Sequence, residues 1–245
     1  MTSAPVYEQL RKKLAALAGQ HDLLNERVNV QADILTAVQA IGRPERQDFP
    51  LLKGKEKMVE ADLQGAKGQA FTNRPGFYRG TLAGVLELTL DDNFERAIFV
   101  AALNALCRRA GLVENTRHCR NQGPAECGRQ VIAFLQGRYG KSRLGMVGLQ
   151  PALLAACAPV FPLRVVDLDP ENIGQKKEGV LIEDGETAAG DMVEWAQVLF
   201  VTGSTLVNDT IDYWLNVSKP VVFYGNTIAG AAALLGLQRY CPCST

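Results

Sequence analysis

The sequence predicts a mixed α/β protein in which an α+β N-terminal region precedes a parallel sheet flanked by helices. Three observations predict this fold class. The second half of the 245-residue chain alternates short apolar strands with helices, which is the pattern of a parallel sheet covered on both faces. The first half opens with an amphipathic helix and then becomes rich in glycine and proline. Hydrophobic residues make up 47% of the chain, the ordinary share for a globular protein with a full core.

The first predicted elements are one helix and two strands. A helix over residues 5–19 is indicated by apolar residues at helical spacing and a terminal glycine, namely Val6, Leu10, Leu14, Leu17 and Gly19. Alternation of apolar and polar residues predicts strands over residues 28–32 and 86–90. The turn-rich section between them is expected to form a long functional or mobile loop.

A buried helix is predicted to begin after Asp92. Asp92 and Glu95 have the spacing of a capping box, and cations followed by Gly111 mark the end of the helix. The segment between is apolar on nearly every side, which favours burial. Asn104 is the polar exception. It is either a core amide bonded to nearby backbone or an amide that faces a ligand cleft.

The C-terminal half is predicted to be a Rossmann-like domain. Apolar strands are expected over residues 144–149, 163–168, 197–202 and 220–224, with a further short strand over 179–182. Helices are expected from Pro151, over 205–216 and over 228–235. The polar stretch near residues 118–125 predicts the boundary, giving an N-terminal domain of residues 1–120 and a second domain of residues 121–245.

Ligands of an open parallel sheet bind beyond the carboxyl ends of its strands. Gly148 follows the first of these strands, where it either opens a nucleotide-binding turn or simply permits a tight strand-to-helix turn. Asp167 and Asp169 lie at the end of the second strand, about 20 residues after Gly148, at the spacing of an acid that binds a ribose hydroxyl. The alternative for both acids is an ordinary solvated turn.

The turn after the third strand carries the densest polar run. Gly203 permits a tight turn, and Ser204 or Thr205 is expected to cap the next helix. Asn208 and Asp209 follow within its first turn. Hydroxyls and free N–H groups there could hold an anion or a carboxylate, whereas capping alone would explain only the two hydroxyl residues.

Five residues form a candidate metal site: His118, Cys119, Cys127, Cys241 and Cys243. Thiolate and imidazole suit Zn²⁺, Cu⁺ or iron, although the paired C-x-x-C pattern of a zinc knuckle is absent from the sequence. The alternative is a set of ordinary reduced cysteines. Cys107 and Cys157 lie in apolar helices and are expected to be packing residues.

Other function classes are disfavoured by the sequence. Acidic and basic residues balance at 26 each, so no general field attracts nucleic acid. The apolar runs are too short to span a bilayer, and the first residues lack a signal-peptide pattern. We therefore expect a cytoplasmic protein with no nucleic-acid partner and no membrane insertion. The histidines are only His21 and His118, and no G-x-S-x-G, H-E-x-x-H or P-loop motif is present.

The segment Thr202-Gly-Ser-Thr-Leu-Val-Asn-Asp-Thr-Ile-Asp212, with Val147-Gly148 and Ala102-Leu-Asn104-Ala-Leu106, resembles the DUF364 family, a family described as heavy-metal chelation proteins. The resemblance covers nearly the whole chain. It implies an enolase-N-terminal-like domain, a Rossmann-like domain and a site between them. Asp209 departs from the glycine expected after the asparagine, and Tyr224-Gly-Asn-Thr227 departs from a Gly-Pro-Ser/Thr turn.

The predicted function is heavy-metal chelation, or the handling of a metal complex, with a small ligand in the interdomain cleft. A transition-metal ion or a small chelating molecule would be the cofactor or partner. The alternatives are an enzyme that uses an adenosine-type ligand and a binding module without turnover; a homo-oligomer is left open. The expected ligand-binding residues are Asn104, Gly148, Asp167, Asp169, Gly203, Ser204, Thr205, Asn208, Asp209, Gly225 and Asn226.

Overall fold

The computed structural model describes residues 5–31, 35–53, 56–74 and 76–245. The N-terminal region holds a four-stranded antiparallel sheet in the order β3-β2-β1-β4. Its elements are α1 (Pro5–Gln20), β1 (Arg27–Gln31), α2 (Ala37–Ile41), β2 (Lys57–Leu63), β3 (Ala66–Thr72), β4 (Tyr78–Thr81), α3 (Leu82–Leu86) and α4 (Asn93–Arg109). The first helix and the first strand are where the sequence predicts them, although Ala32 lies outside the described residues.

The C-terminal region holds a seven-stranded sheet in the order β11-β10-β9-β5-β6-β8-β7. All neighbouring strands are parallel except β7 and β8. The elements are α5 (Gly123–Tyr139), β5 (Leu144–Val147), α6 (Pro151–Cys157), β6 (Leu163–Asp167), β7 (Lys176–Lys177), β8 (Val180–Asp184), α7 (Gly185–Trp195), β9 (Val198–Thr202), α8 (Ser204–Val207), α9 (Ile211–Leu215), β10 (Val221–Tyr224), α10 (Ala229–Leu235) and β11 (Arg239–Tyr240). The predicted α/β class is confirmed.

The order of the parallel strands reverses beside β5. The chain runs from β5 outward through β6 to β8, and α7 then returns it to β9 on the other side of β5. The turns that follow β5 and β9 therefore diverge to opposite faces and leave a crevice between them. This is the position at which open α/β sheets bind ligands.

Both faces of the parallel sheet are covered. In β9, Leu199 and Val201 pack on the face shared with α1 and α4, whereas Val198 and Phe200 pack on the face covered by α5 and α6. Since neighbouring side chains on a strand point to opposite faces, one apolar strand contributes side chains to two hydrophobic cores. The apolar run that predicted this strand is continuous because both of its faces are buried.

Helix α4 joins the two sheets into one packed structure. Asp92 caps it by accepting the backbone N–H groups of Phe94 and Glu95 at 2.8 and 3.0 Å, and Gly111 follows with φ +71°. The helix contacts β2 and β3 on one side and α10 on another, so its expected burial is confirmed. The boundary between residues 120 and 121 stays a prediction, because side chains from both regions share one core.

Three predictions were wrong. The section expected to be a long loop contains the strands β2, β3 and β4. Residues 86–90 do not form a strand, because Thr81 Oγ1 accepts the Gly84 N–H at 3.1 Å and starts helix α3; beyond it, Leu90 has φ +64°. The single helix expected over 205–216 is two short helices. Asp209 adopts φ +60° and the Thr210 N–H donates to the Thr205 carbonyl at 2.9 Å, which ends the first helix and offsets the second.

Candidate functional site

The carboxyl ends of the parallel strands border a cavity of about 1140 Å³. It opens at the crevice between the turns after β5 and β9. Nine of the expected ligand-binding residues line it, namely Gly148, Asp167, Asp169, Gly203, Ser204, Thr205, Asn208, Asp209 and Gly225. The structure thus brings these residues to one cavity, and their binding of a ligand stays a prediction.

The turn after β5 is held tightly against the two strands beside it. Gly148 has φ +83°, and a Cβ atom there would lie 2.7 Å from Thr202 Cγ2, so only glycine fits without strain. The Tyr224 hydroxyl lies within hydrogen-bond distance of the carbonyl oxygens of Val147 and Gly148, at 3.0 and 2.7 Å. The strand ends that border the cavity are therefore fixed relative to one another.

Asp167 connects the turns after β5 and β6. Its Oδ2 accepts the Leu149 N–H and its Oδ1 accepts the Asp169 N–H, both at 2.7 Å. Each carboxylate oxygen thus already accepts one backbone donor. Its observed contacts are those of an acid that shapes the cavity edge, rather than those of a free acid awaiting a ribose hydroxyl.

The residues after β9 differ from the expected capping arrangement. Helix α8 begins at Ser204 with Gly203 as the N-cap residue, and no side chain caps it. Ser204 donates its N–H to Thr202 Oγ1 at 3.3 Å, and Thr205 Oγ1 donates to the Thr202 carbonyl at 2.8 Å. The expectation that Ser204 or Thr205 caps this helix was wrong, because both bond back to the strand end.

Two expected binding residues do not line the cavity. Asn104 is fully buried; its amide nitrogen donates to the carbonyls of Gln69 and Thr227 at 2.9 and 3.0 Å, and its oxygen accepts the Gly230 N–H at 2.6 Å. This matches the core-amide alternative. Asn226 is also fully buried, and its side-chain oxygen has no partner within the described part of the chain.

Four of the five candidate metal residues line the same cavity: His118, Cys119, Cys127 and Cys241. Burial lowers the pKa of His118 to about 4, so its imidazole is neutral at pH 7. Its Nδ1 lies 2.6 Å from the Cys119 carbonyl, which fixes the proton on that nitrogen and leaves the Nε2 lone pair available. Cys243 lies beside Cys127 but outside the lining.

These candidate metal residues do not gather into a site with three or more ligands. Across residues 5–31, 35–53, 56–74 and 76–245, no three His, Cys, Asp or Glu side chains are grouped to hold one ion. All six cysteines are free thiols. Cys107 and Cys157 are buried within apolar clusters, as expected for packing residues.

The section that the sequence predicts to be a long functional or mobile loop supplies another part of the lining. Ile41, Phe49 and Leu51 form a small apolar cluster with Ala152 of α6, and they face the cavity. Helix α2 within this segment starts at a capping box, in which Thr36 Oγ1 accepts the Gln39 N–H and Gln39 Oε1 accepts the Thr36 N–H. The Thr-x-x-Gln spacing was the available signal for this helix.

The charged lining of the cavity is acidic. Its carboxylates belong to Glu56, Asp167, Asp169, Glu171, Glu186 and Asp209, and none of the described lining residues is lysine or arginine. Burial, with smaller contributions from the charges of Asp167 and Asp169, raises the pKa of Glu56 to about 7. Glu56 was not predicted from the sequence, because the Lys-Gly-Lys segment before it carries no motif.

The fold and the site together define an α/β protein with a ligand-sized cavity at the switch point of a parallel sheet. In the part of the chain that the structure describes, no helix is both long and apolar enough to cross a membrane.

A family model confirms the resemblance to the DUF364 family over part of the chain, and two solved structures share the fold. The DUF364 family model, described as "Putative heavy-metal chelation", matches residues 130–236. A DUF364 protein of unknown function from Pyrococcus horikoshii has a similar structure, with a TM-score of 0.55, 14% identity, and coverage of 91% of this chain and 79% of that one. A second DUF364 protein of unknown function, from Desulfitobacterium hafniense DCB-2, has a TM-score of 0.52 and 15% identity. This match covers 95% of this chain and 84% of that one. No curated protein matches the chain.

Proposed function

We propose that the protein binds a small, positively charged ligand that carries a heavy-metal ion, in the cavity at the carboxyl edge of the parallel sheet. The observation that carries this proposal is the composition of the lining. Carboxylates occupy one part of it, thiols and a neutral imidazole occupy another, and the described lining holds no basic side chain. The description of the matching family agrees with this class of ligand.

Electrostatics favours a cation in such a cavity. Glu56 and Asp167 interact with each other, and Glu186 adds a third carboxylate to the lining. Carboxylates that share a partly enclosed site of reduced dielectric repel one another, and a bound cation relieves that repulsion. Apolar and aromatic residues, including Phe49 and Trp214, provide a surface for the organic part of a metal complex.

The same lining disfavours the nucleotide alternative. Phosphate groups are held by basic side chains or by the free N–H groups at the start of a helix. Helix α6, which follows the turn at Gly148, begins with Pro151 and so lacks one of those donors. Asp167, the candidate ribose acid, already accepts two backbone N–H groups.

Isothermal titration calorimetry at pH 8 with hexaamminecobalt(III), Ni²⁺, ATP and NAD tests the proposal. We expect hexaamminecobalt(III) to bind and both anions to fail. Glu56→Gln should weaken cation binding by about tenfold, equivalent to about 1.4 kcal/mol, whereas Glu114→Gln, at an exposed position away from the cavity, should leave it unchanged. Binding of ATP or NAD, or cation binding that is indifferent to Glu56, would contradict the proposal.

A further inference from the structure

Two buried thiols lie together at the cavity wall. Cys119 precedes helix α5 and Cys127 lies within it, and each side chain is only 7% exposed. Cys127 lies one helical turn after Gly123, the residue that packs against Cys119, so the two thiols face the same part of the wall. Both residues belong to the apolar cluster beneath α5 and α6, yet both also line the cavity. An ion in the cavity can therefore reach the pair without opening the core.

The local fold keeps the two thiols close. Gly123, the first residue of α5, is packed so tightly that an added Cβ would lie 2.7 Å from Cys119 Cβ. A glycine at this position thus lets the loop that carries Cys119 fold back against the start of the helix. The Tyr240 hydroxyl lies 2.6 Å from the Cys127 carbonyl and ties this part of α5 to the edge strand β11.

We propose that Cys119 and Cys127 form a two-coordinate site for a soft monovalent metal ion such as Cu⁺. The proposal deepens the proposed function, since that function accounts for how a cation comes to occupy the cavity. Thiolates are the ligands that soft ions prefer. Two thiolates suffice for a linear Cu⁺ complex, so the site does not need the larger ligand group that a tetrahedral zinc site requires.

Binding involves no redox change. Each thiol loses its proton as its sulfur bonds to Cu⁺, so one ion displaces two protons and forms an S–Cu–S unit with a net charge of −1. Helix α5 is 17 residues long and begins at Gly123, beside Cys119, with no side-chain cap. Its positive end is placed to stabilise the negative charge of that unit.

The test is an anaerobic competition for Cu⁺ between the full chain and a coloured Cu⁺ chelator. We expect the wild type to withhold one Cu⁺ per chain with release of two protons, and X-ray absorption to show two sulfur neighbours. Cys119→Ser and Cys127→Ser should each reduce the withheld copper at least tenfold. Cys157→Ser and Cys107→Ser, which alter buried thiols away from the cavity lining, should retain it.

Cys243 provides a sharper control because its side chain packs beside the same glycine, Gly123, as Cys119 does but does not line the cavity. Cys243→Ser should keep the copper. Retention of copper by Cys127→Ser, or its loss from Cys157→Ser, would overturn the proposal. Cys127→Ala serves as a second variant at the same position, and circular dichroism spectra show whether each variant is folded. Hexaamminecobalt(III) has no coordination position open to a thiolate, so its binding tests the carboxylates alone, and a failure of the carboxylate proposal is distinguishable from a failure of the thiol site.

Discussion

Glu56 shows how a single residue can couple stability to the charge of the cavity. Its pKa is raised from 4.5 to about 7 by burial and by the neighbouring charges of Asp167 and Asp169. The folded state therefore holds a proton that the unfolded chain releases at lower pH. The resulting stabilisation is complete below pH 4.5 and is lost as the pH rises towards 7.

Glu56→Gln should remove this pH dependence, because glutamine carries no titratable proton. Relative to the variant, the wild type should lose about 3 kcal/mol of unfolding free energy between pH 4.5 and pH 8. Urea unfolding at several pH values measures the difference. Parallel curves for the two proteins across this window would show that Glu56 titrates as an ordinary exposed carboxyl.

The sequence left two interpretations of Asn104, a core amide or an amide that faces a ligand cleft, and its contacts favour the core amide. Replacing it with alanine leaves the Gly230 N–H and the carbonyls of Gln69 and Thr227 without their buried partner. We expect Asn104→Ala to cost about 2–4 kcal/mol of unfolding free energy. The exposed Asn208 is the control, and Asn208→Ala should change the unfolding free energy by less than about 0.5 kcal/mol.

Among the elements, α4 is where local sequence and tertiary packing agree best. Its cap, its apolar surface and its terminal glycine all mark the same helix, so its limits could be read from the sequence. The short elements were harder. Thr81 and Thr36 start α3 and α2 through side-chain caps, but five-residue helices have too little periodicity to be recognised. The break at Asp209 depends on one left-handed residue, which no apolar pattern reveals.

The N-cap of α4 gives a prediction at the scale of the element. Asp92→Ala removes the acceptor for two backbone N–H groups and should cost about 1 kcal/mol of unfolding free energy. Asp91→Ala, at the exposed neighbouring position, should be nearly neutral. Chemical denaturation of both variants provides the comparison, and equal losses would show that general charge, rather than capping, is responsible.

At the scale of the whole molecule, the two sheets share α4 and one apolar core, and the cavity lies where parts of both regions meet. The strand ends of the parallel sheet could be predicted, because strand–helix alternation fixes which turns share an edge. The lining from residues 41–51 could not, because its position depends on tertiary contacts such as those of Ile41 and Phe49 with Ala152. The thiols also face this cavity because of the way α5 packs. Neither α5 nor its packing was predicted from the sequence.

Cation binding in the cavity is tested most directly by anomalous diffraction from crystals soaked in hexaamminecobalt(III) at pH 8. We expect a cobalt peak inside the cavity, within outer-sphere hydrogen-bonding distance of the Glu56 or Asp167 carboxylate, and its loss in Glu56→Gln crystals. Cobalt found only on the outer surface, with the cavity empty, would contradict this expectation.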